Sequence, residues 1–247
     1  MNRIVEKNKK DWNLYSSEYI KIRQSDAELN ALVKDPRTAF EKSAWNQIER
    51  FFPIINGKKI CVPSSGDNHA VFAFALLGAE VFSCDISENQ LEVSKHSAEK
   101  IGVSNKIKFI CTDTMDLHSV LSESFDLVYT SNGVYVWLND LNAMFRSVRR
   151  VLKEGGIYIG CDVHPFQRPF DGEAKIVKSY NDIGSIENEW NINFHWRVHD
   201  ILNAIINSGL SLRYIEEIIP ESADNEKNTN LSPDHALPKW LCSVAKK

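Results

Sequence analysis

At 247 residues, with 43% hydrophobic and 25% charged side chains, the chain has an ordinary globular composition and enough apolar residues for one large core. A formal net charge of −4 and a pI near 6.0 give no basic footprint for nucleic acid. The N-terminus, MNRIVEKNKKDW, is basic but lacks the apolar stretch of a signal peptide, and no run approaches the ~20 apolar residues of a membrane span, so a cytoplasmic protein is expected.

Residues 1–52 are polar with interspersed aromatics, and helices are expected at about 8–33 and 36–51, separated by Asp35-Pro36. Pro53 and Asn56-Gly57 mark the boundary with a region where strands and helices alternate, the pattern of a parallel sheet with crossover helices. Residues 60–63 read as a strand, 64–68 as a tight polar loop, and 70–77 as a helix apolar on every side, ended by Gly78. A second strand at 80–84 closes on Asp85. Ser87-Glu88-Asn89-Gln90 is a capping box that opens a helix to about Ile101. Strands follow at 106–111 and 125–130.

Asp140 opens a helix whose apolar residues Leu141, Met144, Phe145, Val148, Val151 and Leu152 recur at helical spacing; Gly155-Gly156 is expected to end it before a fifth strand at 157–163. Residues 164–194 lose the alternation and are rich in aromatic, Pro and Gly residues, which suggests a cover over a pocket. A helix at about 197–208 and strands at 211–218 and 240–245 complete the chain. The five cysteines all fall in expected strands, with no CxxC pair, and read as buried reduced thiols; no metal site is expected.

The unit 60–87 carries the functional signal. Its loop lies at the carboxyl edge of a parallel sheet, where open α/β sheets bind ligands. Asp85, 19 residues after Gly66, stands where such folds accept hydrogen bonds from a ribose, so a nucleoside-containing cofactor is expected. The loop alone fits two spellings equally poorly. A dinucleotide loop wants glycine at 64, 66 and 69, where the chain has Ser64, Gly66 and His69. An S-adenosylmethionine loop wants glycine at 64, 66 and 68, where it has Ser64, Gly66 and Asn68.

Downstream elements separate the two. Thr112-Asp113, at the end of the third strand, is placed to meet an adenine amino group. Phe125-Asp126-Leu127-Val128, followed by an amphipathic helix running through Arg149-Arg150-Val151-Leu152-Lys153-Glu154-Gly155-Gly156, resembles the S-adenosylmethionine-dependent methyltransferases of class I, type 11 group. The late strand pair resembles that fold's terminal antiparallel hairpin. Trp12-Asn13, Asp35-Pro36, Ala39-Phe40, Phe74–Ala79 and His164-Pro165-Phe166 are similar to a bacterial branch of small class I methyltransferases with no assigned substrate.

The resemblance implies an α/β, Rossmann-like fold: a seven-stranded, mostly parallel sheet with a terminal antiparallel hairpin and helices on both faces. The whole chain is then one domain, with a helical lid at 1–52, a cofactor core at 53–163, a substrate-side cover at 164–194 and a C-terminal helix and hairpin at 195–247. The implied cofactor is S-adenosyl-L-methionine, leaving as S-adenosyl-L-homocysteine. Ser64 belongs to the binding loop, and backbone N–H groups of Ser65, Gly66 and Asp67 are expected to line the methionine and ribose part. Asp85 is expected to accept from the ribose hydroxyls, Ile86 to pack on the adenine, and Asp113 and Thr114 to meet its edge. Ser131 and Asn132 are expected to flank the methionine, and Tyr19 to close over the cofactor. Val62 stands where many relatives carry an acidic residue.

Methyl transfer from a sulfonium is an in-line displacement that depends mainly on orientation, so no strong catalytic signature is required. Tyr15, Tyr19, Tyr135, Trp137, His164, His195 and His199 are candidates for the substrate side, with His164, His199 and Tyr135 as the possible catalytic groups. His164 also suits a turn-stabilising role before Pro165. His195 and His199 are four apart at a helix start, but Trp196-Arg197-Val198 lacks the glutamate of a metalloprotease helix. A small-molecule substrate, no nucleic acid, no membrane and a monomer or homodimer are expected. The alternatives are a non-catalytic, cofactor-binding scaffold on the same fold and a NAD(P)-dependent oxidoreductase.

Overall fold

The computed structural model describes residues 3–171, 175–187, 191–219 and 237–247, with backbone alone for 17–23. In chain order the elements are helices α1 (Arg3–Arg23), α2 (Asp26–Lys34) and α3 (Lys42–Phe51), then β1 (Lys59–Pro63), α4 (His69–Leu76), β2 (Glu80–Asp85), α5 (Glu88–Lys100) and β3 (Ile107–Cys111). There follow β4 (Phe125–Ser131), α6 (Leu141–Val151), β5 (Leu152–Val163), β6 (Gly184–Glu187), β7 (Ile192–His195), α7 (Val198–Asn207), β8 (Ser211–Ile218) and β9 (Trp240–Lys246).

Seven strands form one sheet in the order β3-β2-β1-β4-β5-β9-β8. The first five are parallel, and β9 runs antiparallel between β5 and β8. The expected fold class is what the structure has, and the antiparallel end stands where a second mononucleotide half would be in a dinucleotide enzyme. The order reverses beside β1, so the loops after β1 and β4 diverge and leave a crevice at the carboxyl edge.

Helices cover both faces. On one, α4, apolar after His69, buries Ala70 through Ala75 completely, and Phe74 packs edge-on to Tyr129 at 5.4 Å between ring centres. On the other, α6 presents Met144, Phe145, Val148 and Val151 to the sheet beside Ile201 and Ile205 of α7. The expected caps Ser87 and Asp140 accept from the N–H groups of Gln90 and Ala143, though the Ser87 N–H donates to Asp85 Oδ1 and not back to Gln90; Asn68, read as loop, also caps α4 by accepting from the Ala70 N–H.

Four expectations are corrected. The first helix is two, because the Ser25 hydroxyl accepts from the Glu28 N–H and starts α2 afresh. Gly155-Gly156 does not end α6, which stops at Val151; Leu152 already pairs with Phe125, and the glycines form an irregularity before Leu127 and Ile157 pair. The cover 164–194 contains a hairpin, β6–β7. Cys111 is exposed, because β3 is an edge strand with β2 as its sole neighbour in the sheet. No helix among the described residues is long and apolar enough to cross a membrane.

Candidate functional site

A cavity of about 320 Å³ opens at the carboxyl ends of β1 to β5. Ser64, Ser65, Gly66, Asp67, Asp85, Ile86, Asp113, Thr114, Ser131 and Asn132 all line it. Tyr19 lies outside the residues whose side chains are described.

The loop after β1 is pinned from several sides. Ser64 takes a left-handed φ of +48°, which a glycine adopts without penalty, and its Oγ lies 2.8 Å from Thr114 Oγ1. Ser65 Oγ meets Ser83 Oγ at 2.8 Å. Asn68 fills its non-glycine position with two bonds, accepting from the Ala70 N–H at 2.9 Å and donating to Ser131 Oγ at 2.9 Å. Two backbone N–H groups expected to face the ligand are spent internally: Ser65 donates to the Cys84 carbonyl at 2.9 Å and Gly66 to Asp85 Oδ2 at 2.8 Å.

Asp85 is the central charge. Its second oxygen accepts from the Ser87 N–H at 2.8 Å, yet desolvation outweighs these bonds and, with help from the Asp67 charge, pushes the carboxyl up to about 6. Burial likewise raises Asp113, against the Met115 N–H it accepts at 2.9 Å. Three carboxylates on one wall favour a ligand carrying positive charge. Val62 is buried in the apolar core behind this wall.

The roof comes from α1, which adds Val5, Asn8 and Trp12. Trp12 packs edge-on to Trp137 at 5.0 Å. Asn8 donates to the Trp137 carbonyl at 3.5 Å and accepts from the Ile192 N–H at 3.2 Å. Asn13 accepts from Ser87 Oγ at 2.6 Å and from the Asn89 N–H at 3.3 Å, while Lys9 bonds to Glu88 and holds it down at about 2. Gln24 donates to the Asp67 carbonyl at 3.0 Å. No site role was expected for Asn8, Asn13 or Gln24; the polar face of α1 is the signal for the two asparagines, and Gln24 lies just past that helix.

The three possible catalytic groups do not line the cavity. The Tyr135 ring points into the core, its hydroxyl 2.7 Å from that of Tyr158, while the neighbouring Val136 and Trp137 face the cavity. His164 Nδ1 accepts from the Phe166 N–H at 3.1 Å and Nε2 meets Glu217 at 3.0 Å, which fixes a turn. His199 is exposed beside Asp200. His195 ends β7 and is not on the helix with His199; its Nε2 donates to the Tyr180 carbonyl at 3.1 Å. Among the described residues no group of His, Cys, Asp or Glu could hold a metal.

Residues 63–160 match the family model of a methyltransferase domain. The chain is 27% identical over 115 residues to the tRNA 5-carboxymethoxyuridine methyltransferase of Escherichia coli K12, covering 46% of this chain and 44% of that protein. It is 31% identical over 125 residues to the uncharacterized methyltransferase YbaJ of Bacillus subtilis 168, covering 51% and 48%. The chain thus aligns with about half the length of these curated relatives. Among solved structures, an S-adenosylmethionine-dependent methyltransferase from Mesorhizobium loti superposes with a TM-score of 0.66 at 24% identity, covering 83% of this chain and 98% of that one. Geranyl diphosphate C-methyltransferase from Streptomyces coelicolor gives 0.58 at 16% identity, covering 82% and 78%.

Proposed function

Through residues 63–160 the chain belongs to the methyltransferase-domain family of class I, S-adenosylmethionine-dependent enzymes, and on that premise we propose that it transfers a methyl group from S-adenosyl-L-methionine to a small-molecule acceptor. One observation carries the reading. Ten residues from four separate stretches of sequence, expected from strand-end position or from the resemblance, line a single cavity.

The residues present fit the cofactor. Gln90 lines the cavity with a buried Nε2 that has no hydrogen-bond partner. A Cβ at Gly66 would come within 3.6 Å of Gln90 Oε1 and 3.9 Å of Asp85 Oδ2, so both side chains lie beside the same loop, the Gln90 oxygen nearest to it. That pair suits a ribose diol. Asp85 accepts from it and Gln90 donates to it, with Asp113 and Thr114 at the base edge and Ser131 and Asn132 at the amino-acid end. The bound cofactor supplies an activated methyl group on a sulfonium sulfur, open to in-line displacement. Trp12 and Trp137 wall the cavity and limit water.

A small acceptor is favoured by a cavity closed over by α1, and by the acidic balance of the chain. The helical lid 1–52, the cover 164–194 and the C-terminal part 195–247 are taken as parts of one functional domain. A cytoplasmic setting, in which the five thiols stay reduced, belongs to the same proposal.

Calorimetry with S-adenosylhomocysteine and NAD tests the cofactor, and radiolabelled methyl uptake from a cell extract tests the acceptor. Micromolar binding of the former and label in the small-molecule fraction are expected. Binding of NAD alone overturns the first part. Label confined to RNA, as the Escherichia coli relative's name would suggest, overturns the second.

A further inference from the structure

Arg168 follows the short turn at Pro165–Gln167 in the cover and is half-buried. Its Nε is buried without a hydrogen-bond partner, and no carboxylate among the described residues lies within ion-pairing distance. The opposing charge it feels is that of Asp162. That carboxylate is already committed: one oxygen accepts from the Tyr135 N–H at 3.0 Å and the other from the Val163 N–H at 2.7 Å. Desolvation lowers the guanidinium's pKa, and its charge helps keep His195 below its usual value.

The guanidinium lines a hollow of about 10 Å³, the space of one water molecule. Val136 and Val163 form a wall of this hollow and also a wall of the large cavity. The two spaces therefore meet at a seam, on the side where Ser131 and Asn132 stand. An arginine fork presents five donors suited to a two-oxygen anion, and leaving a buried one unspent is unfavourable.

We propose that Arg168 recognises the oxyanion of the methyl acceptor, a carboxylate or a phosphate, which enters from the large cavity beside Val136 and Val163 and places one oxygen in the hollow. The proposal rests on reading the large cavity as the cofactor site. It makes Arg168 a binding and specificity residue, with no role in the chemical step.

The test titrates protein loaded with S-adenosylhomocysteine with phenylacetate, phenyl phosphate and neutral benzyl alcohol. At least one anion should bind tenfold or more tightly than the alcohol, and which one does so tells carboxylate from phosphate. The preference should vanish in Arg168→Met, persist in part in Arg168→Lys, and leave S-adenosylhomocysteine affinity unchanged in both, which also reports that the variants are folded. Equal binding of all three probes, no saturable binding of either anion, or a preference that survives in Arg168→Met overturns the proposal. Failure of wild-type protein to bind S-adenosylhomocysteine instead overturns the cofactor reading, and titration of the unloaded protein then reads Arg168 separately.

Discussion

Acidification should weaken the binding of S-adenosylhomocysteine, and Asp85 sets the amount. A ribose diol donates to a carboxylate, so the ionised form is the one competent to bind. With its carboxyl at about 6, roughly nine-tenths of the protein is competent at pH 7 and about one-tenth at pH 5. The apparent affinity should therefore fall about tenfold between those values, or about 1.4 kcal/mol. The effect on stability has the opposite sense. A folded-state value above the unfolded 3.8 means that protonated Asp85 favours the fold at low pH, and this contribution of about 3 kcal/mol is lost as pH rises through about 6.

Calorimetry from pH 5 to 8 measures the first effect. Asp85→Asn should bind about 10- to 100-fold more weakly at pH 7, the worth of a hydrogen bond to a charged group, and should lose the pH dependence. Asp113 is the neighbouring carboxylate that is also raised, so Asp113→Asn should retain the dependence. Glu88, held at about 2 by Lys9, stays ionised across the range. Wild-type affinity that is flat from pH 8 to 5, or a dependence that survives in Asp85→Asn, refutes the assignment.

Two further outcomes concern the scaffold. Ser64→Ala keeps the left-handed backbone and loses the bond to Thr114, so it should cost about 1 kcal/mol and lower Tm by about 2–4 °C; Ser64→Gly loses the same bond but relieves the strain and should stay near wild type, as scanning fluorimetry would read. At Gly160, a Cβ would sit 2.4 Å from Tyr158 Oη and 2.7 Å from Tyr135 Oη. Gly160→Ala should therefore cost about 1–3 kcal/mol in urea denaturation, with part recovered when Tyr158→Phe removes the nearer oxygen; equal stability would refute the clash.

The fold was legible where local signals agreed. The apolar run 70–77, the caps Ser87 and Asp140, and Asp85 at a strand end each specify one arrangement, and together they place the loop at the sheet edge. The break at Ser25 was equally legible, since Ser25-Asp26-Ala27-Glu28 is a helix start, but the apolar residues on either side hid it. The hairpin β6–β7 was not: strands of four residues with mixed polarity carry little period. Cavity-lining positions next to strand ends could be read because topology fixes where a strand ends. The direction of a side chain beyond the strand could not, and so Tyr135 turned into the core while Trp137, two residues on, faces the cavity. His164, a candidate for chemistry that also suited a turn before Pro165, is committed to that turn.

Asn8 joins three elements that are far apart in the chain: its amide reaches the loop at Trp137 and its carbonyl oxygen the start of β7 at Ile192, from a position on α1. Displacing α1 breaks the Asn8 bond to Ile192 and so costs the hairpin one of its anchors. Occupancy of the large cavity and order in the cover are thus thermodynamically linked, and each ligand should tighten or loosen the other by the same factor. Removing that one amide, as in Asn8→Ala, should therefore loosen the helix, the Trp137 loop and the hairpin together.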